Sequence, residues 1–450
     1  MKNKRKLISI LLSITIIIFF PILSISKDNK NYFFTYGENE CYLDNFDQIC
    51  LTPGENETML NFCWYSKFSD GVSKIKVYEK GGKKVIYKGK STNLGNGFIS
   101  NKVTVNNLKE NTTYYYSYER DGMWSKPVEY NTKDFQKYTF IFMADPQIGA
   151  SSKKMKIYED GIKRDADNWN NVIKKSLDKS CNPSFIVCGG DETNTKEDDR
   201  DLSSIHISNL EYSGFLSPSY LRYIPVANAI GNHDKDNKNF YNHFNMPNLT
   251  NLGETIAGGD YYFTYGNALY LFINTNNLNM YEHKKFIDEV VERNKDIKWR
   301  IAVFHHDIYG GGKHKDEKDV KYIRKNLPNI LENNKIDLVL CGHDHIYSRS
   351  YPIKSDKEIM DFKVEKLQNS NEKVDIIKSS KGITYITGSS CTGSKFYKQP
   401  KDKSKYVKKI YHKKIATYTV IEIGKNAINI VTYELNNNNK PVDNRIIIQK

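Results

Sequence analysis

From residue 138 onward the sequence predicts an α/β fold, and residues 30–135 predict an all-β module in front of it. In the first part, alternating stretches such as Thr58–Tyr65 and Lys74–Tyr78 are cut at turn spacing by Gly71, Gly81, Gly82, Gly95 and Gly97. In the second part, short apolar runs alternate with longer stretches of helical spacing. Several of those apolar runs end in Asp, Asn or His, and chemistry collects at the carboxyl ends of strands in open α/β sheets. A chain of 450 residues is long enough for two or three domains.

The N-terminus reads as an export signal. Lys2, Lys4, Arg5 and Lys6 precede the apolar stretch Leu7–Leu23, and Ser24 and Ser26 supply small residues at a cleavage site, so residues 1–26 are expected to be removed. An uncleaved anchor is the alternative, because the stretch approaches the ~20 residues of a membrane span. No Cys follows the run, which argues against a lipid anchor. The product would be secreted or held at the cell surface.

Removing those four basic residues lowers the formal net charge from +14 to +10. The excess is spread along the chain, so contact with a cell-wall polyanion is a weaker reading than simple composition bias. No nucleic-acid reading module is recognisable. The seven cysteines, at 41, 50, 63, 181, 188, 341 and 391, form no CxxC pair and therefore no zinc ribbon. Secretion would permit a Cys41–Cys50 bridge, whereas Cys188 and Cys341 fall inside apolar runs and read as packed thiols.

The front module continues through Asn101–Leu108, Asn111–Tyr118 and Trp124–Thr132, giving about seven strands. It resembles a fibronectin-type-III-like sandwich with Trp64 in its core, and with no cluster of reactive groups it reads as a spacer packed on the next domain. Beyond it, Ile157–Asp178, Ser203–Phe215 and Tyr281–Arg293 have helical spacing. Tyr262–Gly266 and Ala268–Asn274 form a hairpin, and Lys354–Lys381 reads as a polar surface excursion. Gly382–Thr387, Ala416–Val420 and Ala427–Val431 are closing strands.

The chemistry-bearing residues lie where five runs end. Phe140–Ala144 leads to Asp145 and Gln147, and Ser184–Cys188 to Asp191 and Asn194. Tyr223–Ile230 leads to Asn232, His233 and Asp234, Arg300–Phe304 to His305 and His306, and Ile336–Cys341 to His343 and His345. Any one of these is ordinary turn chemistry. Together they supply hard oxygen and imidazole donors for a metal site, and their number suggests two ions. His206, His243, His283 and His412 lack that context and read as surface residues, and Tyr261 and Tyr262 as core or edge aromatics.

Asp-x-Gln, Gly-Asp-x-x-Asn, Gly-Asn-His-Asp, His-His and Gly-His-Asp-His, in this order, resemble the calcineurin-like metallophosphoesterases. The sandwich in front and the run Gly342–Ser350 are similar to the purple acid phosphatase branch. The resemblance implies a four-layer α/β (α+β) sandwich over residues 137–450. It implies a first ion on Asp145, Asp191 and His345, with Asp191 bridging to a second ion on Asn232, His305 and His343; His306 is the fallback for His305. The ions implied are two divalent or trivalent cations, Fe, Mn or Zn. A metal-bound hydroxide would attack a small phosphorylated substrate, His233 would act as general acid with Asp234 orienting its ring, and His314 would contact the phosphate. Gly310, Gly311 and Gly312 would let that loop approach an anion. Two departures stand out: Asn194 occupies the position of a tyrosine ligand, removing the source of the purple colour, and Gln147 stands where many relatives have a His ligand. The expected function is hydrolysis of phosphate monoesters. The alternatives are phosphodiester hydrolysis at the same site, or a cell-surface binding protein with a vestigial phosphatase domain.

Overall fold

The computed structural model describes residues 49–450 except 68, 96, 196–201, 237, 367–371, 399, 403 and 437. The export signal, Cys41 and part of the 196–205 loop therefore lie outside the described residues.

Among the described residues the front module has nine short strands between Ile49 and Asn131. One four-stranded sheet joins Ile49–Pro53, Leu60–Ser66, Ile99–Val105 and Lys90–Asn93; the facing sheet is centred on Lys74–Glu79 and Thr113–Arg120. The sequence expectation of about seven strands falls short because the chain changes sheet at Gly89. Val85–Lys88 pairs with Lys74–Glu79, and Lys90–Asn93 with Ile99–Val105. Between the sheets Phe62, Trp64, Tyr116 and Tyr118 are buried, with rings in contact. Trp64 is satisfied there by the Glu119 carbonyl, 2.9 Å from its indole nitrogen.

The rest of the chain forms two sheets face to face with helices on both outsides. The eight-stranded sheet contains Val226–Asn228, Phe185–Cys188 and Tyr138–Met143 as parallel neighbours, then Thr417–Ile423, Ala427–Glu434 and Arg445–Gln449. The seven-stranded sheet holds Tyr261–Tyr265, Ala268–Phe272, Trp299–Val303, Leu338–Cys341 and Thr384–Thr387. Aromatics such as Phe140, Phe185, Phe263 and Tyr270 fill the space between the sheets. Helix α1 (Tyr158–Ser180) lays Ile162, Trp169, Val172 and Ile173 on the first sheet, with α2 (Leu202–Leu216) beside it. After a short helix α3 (Asn239–His243), α4 (Met280–Arg293) and α5 (Lys318–Asn333) cover the second sheet through Phe286, Ile287, Ile323 and Leu327.

Helix α5 was not anticipated, because its interior Pro328 and Lys-rich exposed face mask the apolar spacing. The Lys354–Lys381 stretch is only partly a surface excursion: Lys373–Lys378 pairs in parallel with Arg445–Gln449 and buries Ile377. Asp375 of that strand and Asp443 grip the fully buried Arg349, at 2.7 and 2.6 Å, tying the two sheets together. The Arg of the run Gly342–Ser350 is thus a structural cross-link.

The front module packs on the short segment around α3. Thr52, Asn61, Ser100 and Lys102 donate to the carbonyls of Asn245, Asn242 and Tyr241 at 2.6–2.9 Å. His243, expected on the surface, is buried between the rings of Tyr65 and Tyr212, and burial pushes its imidazole down to about 4. His283 is likewise fully buried, 2.7 Å from Asp260. The partners that bury them, Tyr65 and Tyr212 for His243 and Asp260 for His283, come from distant segments. Cys50, Cys188 and Cys341 are buried thiols.

Candidate metal centre

Five strand ends converge at one edge of the two sheets. The three parallel strands of the eight-stranded sheet deliver Asp145, Asp191 and Asn232; the adjacent strands Trp299–Val303 and Leu338–Cys341 of the other sheet deliver His305, His343 and His345. The backbone bends sharply to present them. Asp145, Gln147, Asp191, His343 and His345 all have φ between 40° and 75°. This left-handed region costs a residue with a Cβ about a kcal/mol or more, and such strain gathers at functional sites. A methyl group at Gly231 would collide with the backbone and carboxylate of Asp191, so the Asn232 loop can close on the bridging position only with glycine there.

Among the described residues two groups of three are spaced for a cation: Asp145, Asp191 and His345, all buried, and His314, Glu317 and His343. In the first, His345 donates from Nδ1 to the Lys395 carbonyl at 2.7 Å, which turns Nε2 toward Asp145, 3.3 Å away. Asp145 is held by the His343 backbone N–H, 3.0 Å from each carboxylate oxygen.

Beside that group lies a further convergence of donors. His305 gives its Nδ1 hydrogen to the Gly189 carbonyl at 2.9 Å, leaving Nε2 3.3 Å from Asp191, 3.1 Å from the Asn232 side-chain oxygen and 3.2 Å from His343 Nδ1. Four lone-pair-bearing atoms facing one another are stable only around positive charge. In the metal-free chain that charge is a proton. Burial opposes it, but Asp191 and Asp145 raise His305 to about 9, and His305 with His233 holds Asp191 well below the usual carboxylate range despite its burial. The buried side-chain oxygen of Gln147 has no hydrogen-bond partner, while its nitrogen lies 3.1 Å from Asp191. The donor set therefore fits a pair of cations. His306 packs beside His343, ring centroids 4.8 Å apart, but its nitrogens face Thr275 at 2.8 Å and Asp319 at 3.9 Å.

The remaining expected residues fall around this centre. His233 sits with its backbone N–H on Asp191 at 2.9 Å and its Nε2 4.0 Å from the same carboxylate. Its ring is oriented by the Asn194 carbonyl at Nδ1, and not by Asp234. The Asp234 carboxylate instead accepts the backbone N–H groups of Asp191 and Gly231, both at 2.9 Å, and the Tyr212 hydroxyl at 3.1 Å. The Asn194 position so contributes through its backbone, which a side-chain motif cannot reveal. Glu211 holds that loop by accepting the Asn194 and Thr195 N–H groups, and burial raises its carboxyl to about 7. His314 pairs through Nδ1 with Asp344 at 3.0 Å. Gly310 and Gly312 are glycines for packing, since methyl groups there would strike the carboxylates of Asp307 and Asp344. They do not line an open anion cradle: both are buried.

Glu317 and Tyr397 were missed by the sequence reading. Tyr397 packs its ring within 4.7 Å of both His314 and His345, and Glu317 reaches within 4.0 Å of His314 and 3.9 Å of His343. Glu317 lies three residues after His314, a spacing that could have flagged it; nothing in sequence marks Tyr397.

Residues 138–347 match the calcineurin-like phosphoesterase family, and residues 46–132 the N-terminal domain of purple acid phosphatases. The chain thus carries a calcineurin-like metallophosphoesterase domain preceded by a purple-acid-phosphatase-type N-terminal domain. It is similar in fold to purple acid phosphatase PPD1 from seeds of yellow lupin (Lupinus luteus), with TM-score 0.65 and 13% identity over 89% of this chain and 74% of that one. A structure of PhoD superposes with TM-score 0.54 and 11% identity, over 88% and 92% of the two chains. In sequence, an uncharacterized protein of Mycobacterium tuberculosis is 23% identical over 156 residues, a match covering 30% of this chain and only 29% of that protein.

Proposed function

We propose that this chain is a metal-dependent hydrolase of phosphate monoesters, exported by its N-terminal segment. We take residues 30–135 as its spacer module and 137–450 as the hydrolase domain. The observation that carries the reading is the convergence of Asp145, Asp191, Asn232, His305, His343 and His345 from two sheets, with Asp191 common to both halves. Two cations held there would neutralise phosphoryl oxygens and supply an acidified water.

The chain's own groups do the rest. Asp191, grouped with Asp145 and His345 and 3.3 Å from His305 Nε2, would serve both cations. His233, its Nδ1 hydrogen given to the Asn194 carbonyl, holds a proton on Nε2 and delivers it to the departing alkoxide. His314, fixed through Nδ1 by Asp344, would meet the phosphate with its Nε2. Asp234 anchors the Asp191 and Gly231 backbones and so keeps donor and acid in register.

Release of nitrophenol from nitrophenyl phosphate, with far slower release from bis-nitrophenyl phosphate, is the expected result. The reverse order would make the enzyme a phosphodiesterase. Turnover unchanged in both Asp191→Asn and His233→Ala would show that this site does not produce it, and no turnover of either ester by the metal-loaded wild type would leave the vestigial-domain reading in its place.

A further inference from the structure

The trio His314, Glu317 and His343 is spaced for an ion, yet its second use is hydrogen bonding, and the ring chemistry of His343 decides between them. A neutral imidazole carries one proton. His343 Nδ1 faces His305 Nε2 at 3.2 Å, inside the donor set, so its lone pair points to the cation pair and the proton sits on Nε2. That Nε2 is buried and has no hydrogen-bond partner, in a residue that is 7% exposed. Glu317 Oε2 is the carboxylate oxygen facing it, at 3.9 Å, a gap that one side-chain rotation or one bridging water closes.

Glu317 is free to serve. It stands at the start of α5, where its backbone N–H bonds the His314 carbonyl at 2.9 Å, and its side chain makes no capping bond. The carboxylate is half exposed, with its other oxygen 4.0 Å from His314 Nε2.

We propose that Glu317 is a positioning residue: its carboxylate accepts the Nε2–H of His343, fixing the ring so that Nδ1 is presented to the second cation of the pair. Imidazole ligands elsewhere in the site obey the same rule, His305 giving its outer hydrogen to the Gly189 carbonyl and His345 to that of Lys395. His343 is the one of the three whose outer nitrogen has been left to a carboxylate from another loop. Glu317 touches neither substrate nor cation.

The inference rests on the two-cation reading, and its test is read by metal affinity in place of turnover. Holoenzyme is titrated against a competing chelator, and the affinity of the more weakly held equivalent is compared between wild type, Glu317→Ala and Glu317→Gln. Glu317→Ala is expected to lower that affinity by about tenfold to a hundredfold, as loss of an outer-shell partner does, with Glu317→Gln in between because its amide oxygen still accepts. The tightly held equivalent is unchanged. Equal affinities in wild type and Glu317→Ala overturn the proposal. So does a third equivalent in wild type that Glu317→Ala lacks, because the trio would then be an ion site. A melting curve of each metal-free variant identical to wild type shows that the change does not come from a damaged α5; a lowered curve that accounts for the whole affinity loss overturns the positioning role. A chain that binds the pair with this dependence yet hydrolyses no phosphate ester would sink the phosphatase reading and leave this one standing.

Discussion

The eight-stranded sheet brings oxygen to the candidate centre, through Asp145, Asp191 and Asn232, whereas the seven-stranded sheet brings nitrogen, through His305, His343 and His345. The oxygen half carries the charge and sits on three consecutive parallel strands of one sheet. The nitrogen half is neutral as ligand and depends on partners that orient each ring: Gly189 for His305 and Lys395 for His345. The difference teaches where each half is vulnerable. Carboxylates act by charge and tolerate some rotation; imidazoles act through one directed lone pair and fail when the opposite nitrogen loses its partner. Cations at the seam would also join the two sheets, beside the buried Arg349 link to Asp375 and Asp443.

The sharpest way to break this contrast is Asp191→Asn, which removes from the oxygen half the carboxylate charge that also faces His305 at 3.3 Å. Turnover is expected to fall roughly a thousandfold or more, as for loss of a central catalytic group, with loss of metal stoichiometry in elemental analysis. If that variant kept two ions, the oxygen half would not be the charge-bearing one. His305→Ala strikes the nitrogen half alone: one equivalent should be lost and one retained, and retention of both would assign the ligand role to His306.

Chelation tests the seam. Ions saturated at about a thousand times their dissociation constant stabilise the fold by about 4 kcal/mol, so the melting temperature should drop on adding chelator and recover on adding metal back. In the metal-free protein His305 is raised from 6.5 to about 9. Its contribution to stability is full below about pH 6.5 and is lost as pH rises through about 9. The metal-free melting temperature should therefore fall across that window, and the metal-loaded protein, in which a cation replaces the proton, should lack that slope. Equal slopes would remove His305 from the cation's shell.

The smallest effect on the site is expected from the front module. Tyr65→Ala removes one side of the stack on His243 and should cost roughly 3 kcal/mol in urea unfolding, in line with loss of a packed aromatic. Turnover and metal content should stay as in wild type. A loss of turnover would make the module a working part of the site, through Tyr212 and its bond to Asp234, and not a spacer.

Much of the site was legible because each donor follows directly on its strand. A buried apolar run such as Phe140–Ala144 marks its own end, and a donor one or two residues later must emerge at the sheet edge. The same locality explains the misses. His243 and His283 look exposed in sequence because their burying partners, Tyr65, Tyr212 and Asp260, lie in other segments. Helix α5 was hidden by Pro328, which the helix accommodates because its buried face is anchored by Ile323, Leu327 and Leu331.

The sequence by itself determined the order of strands, the residue types at their ends and the separation of an all-β part from an α/β part, since these depend on local periodicity and on turn chemistry. Only the tertiary structure decided which nitrogen of each imidazole faces inward, that His305 and not His306 joins the donors, and that the Asn194 carbonyl orients His233 while Asp234 holds backbone. Those choices belong to hydrogen bonds between residues tens to hundreds of positions apart, and a side chain's direction is set by the partner it meets, which no local pattern encodes.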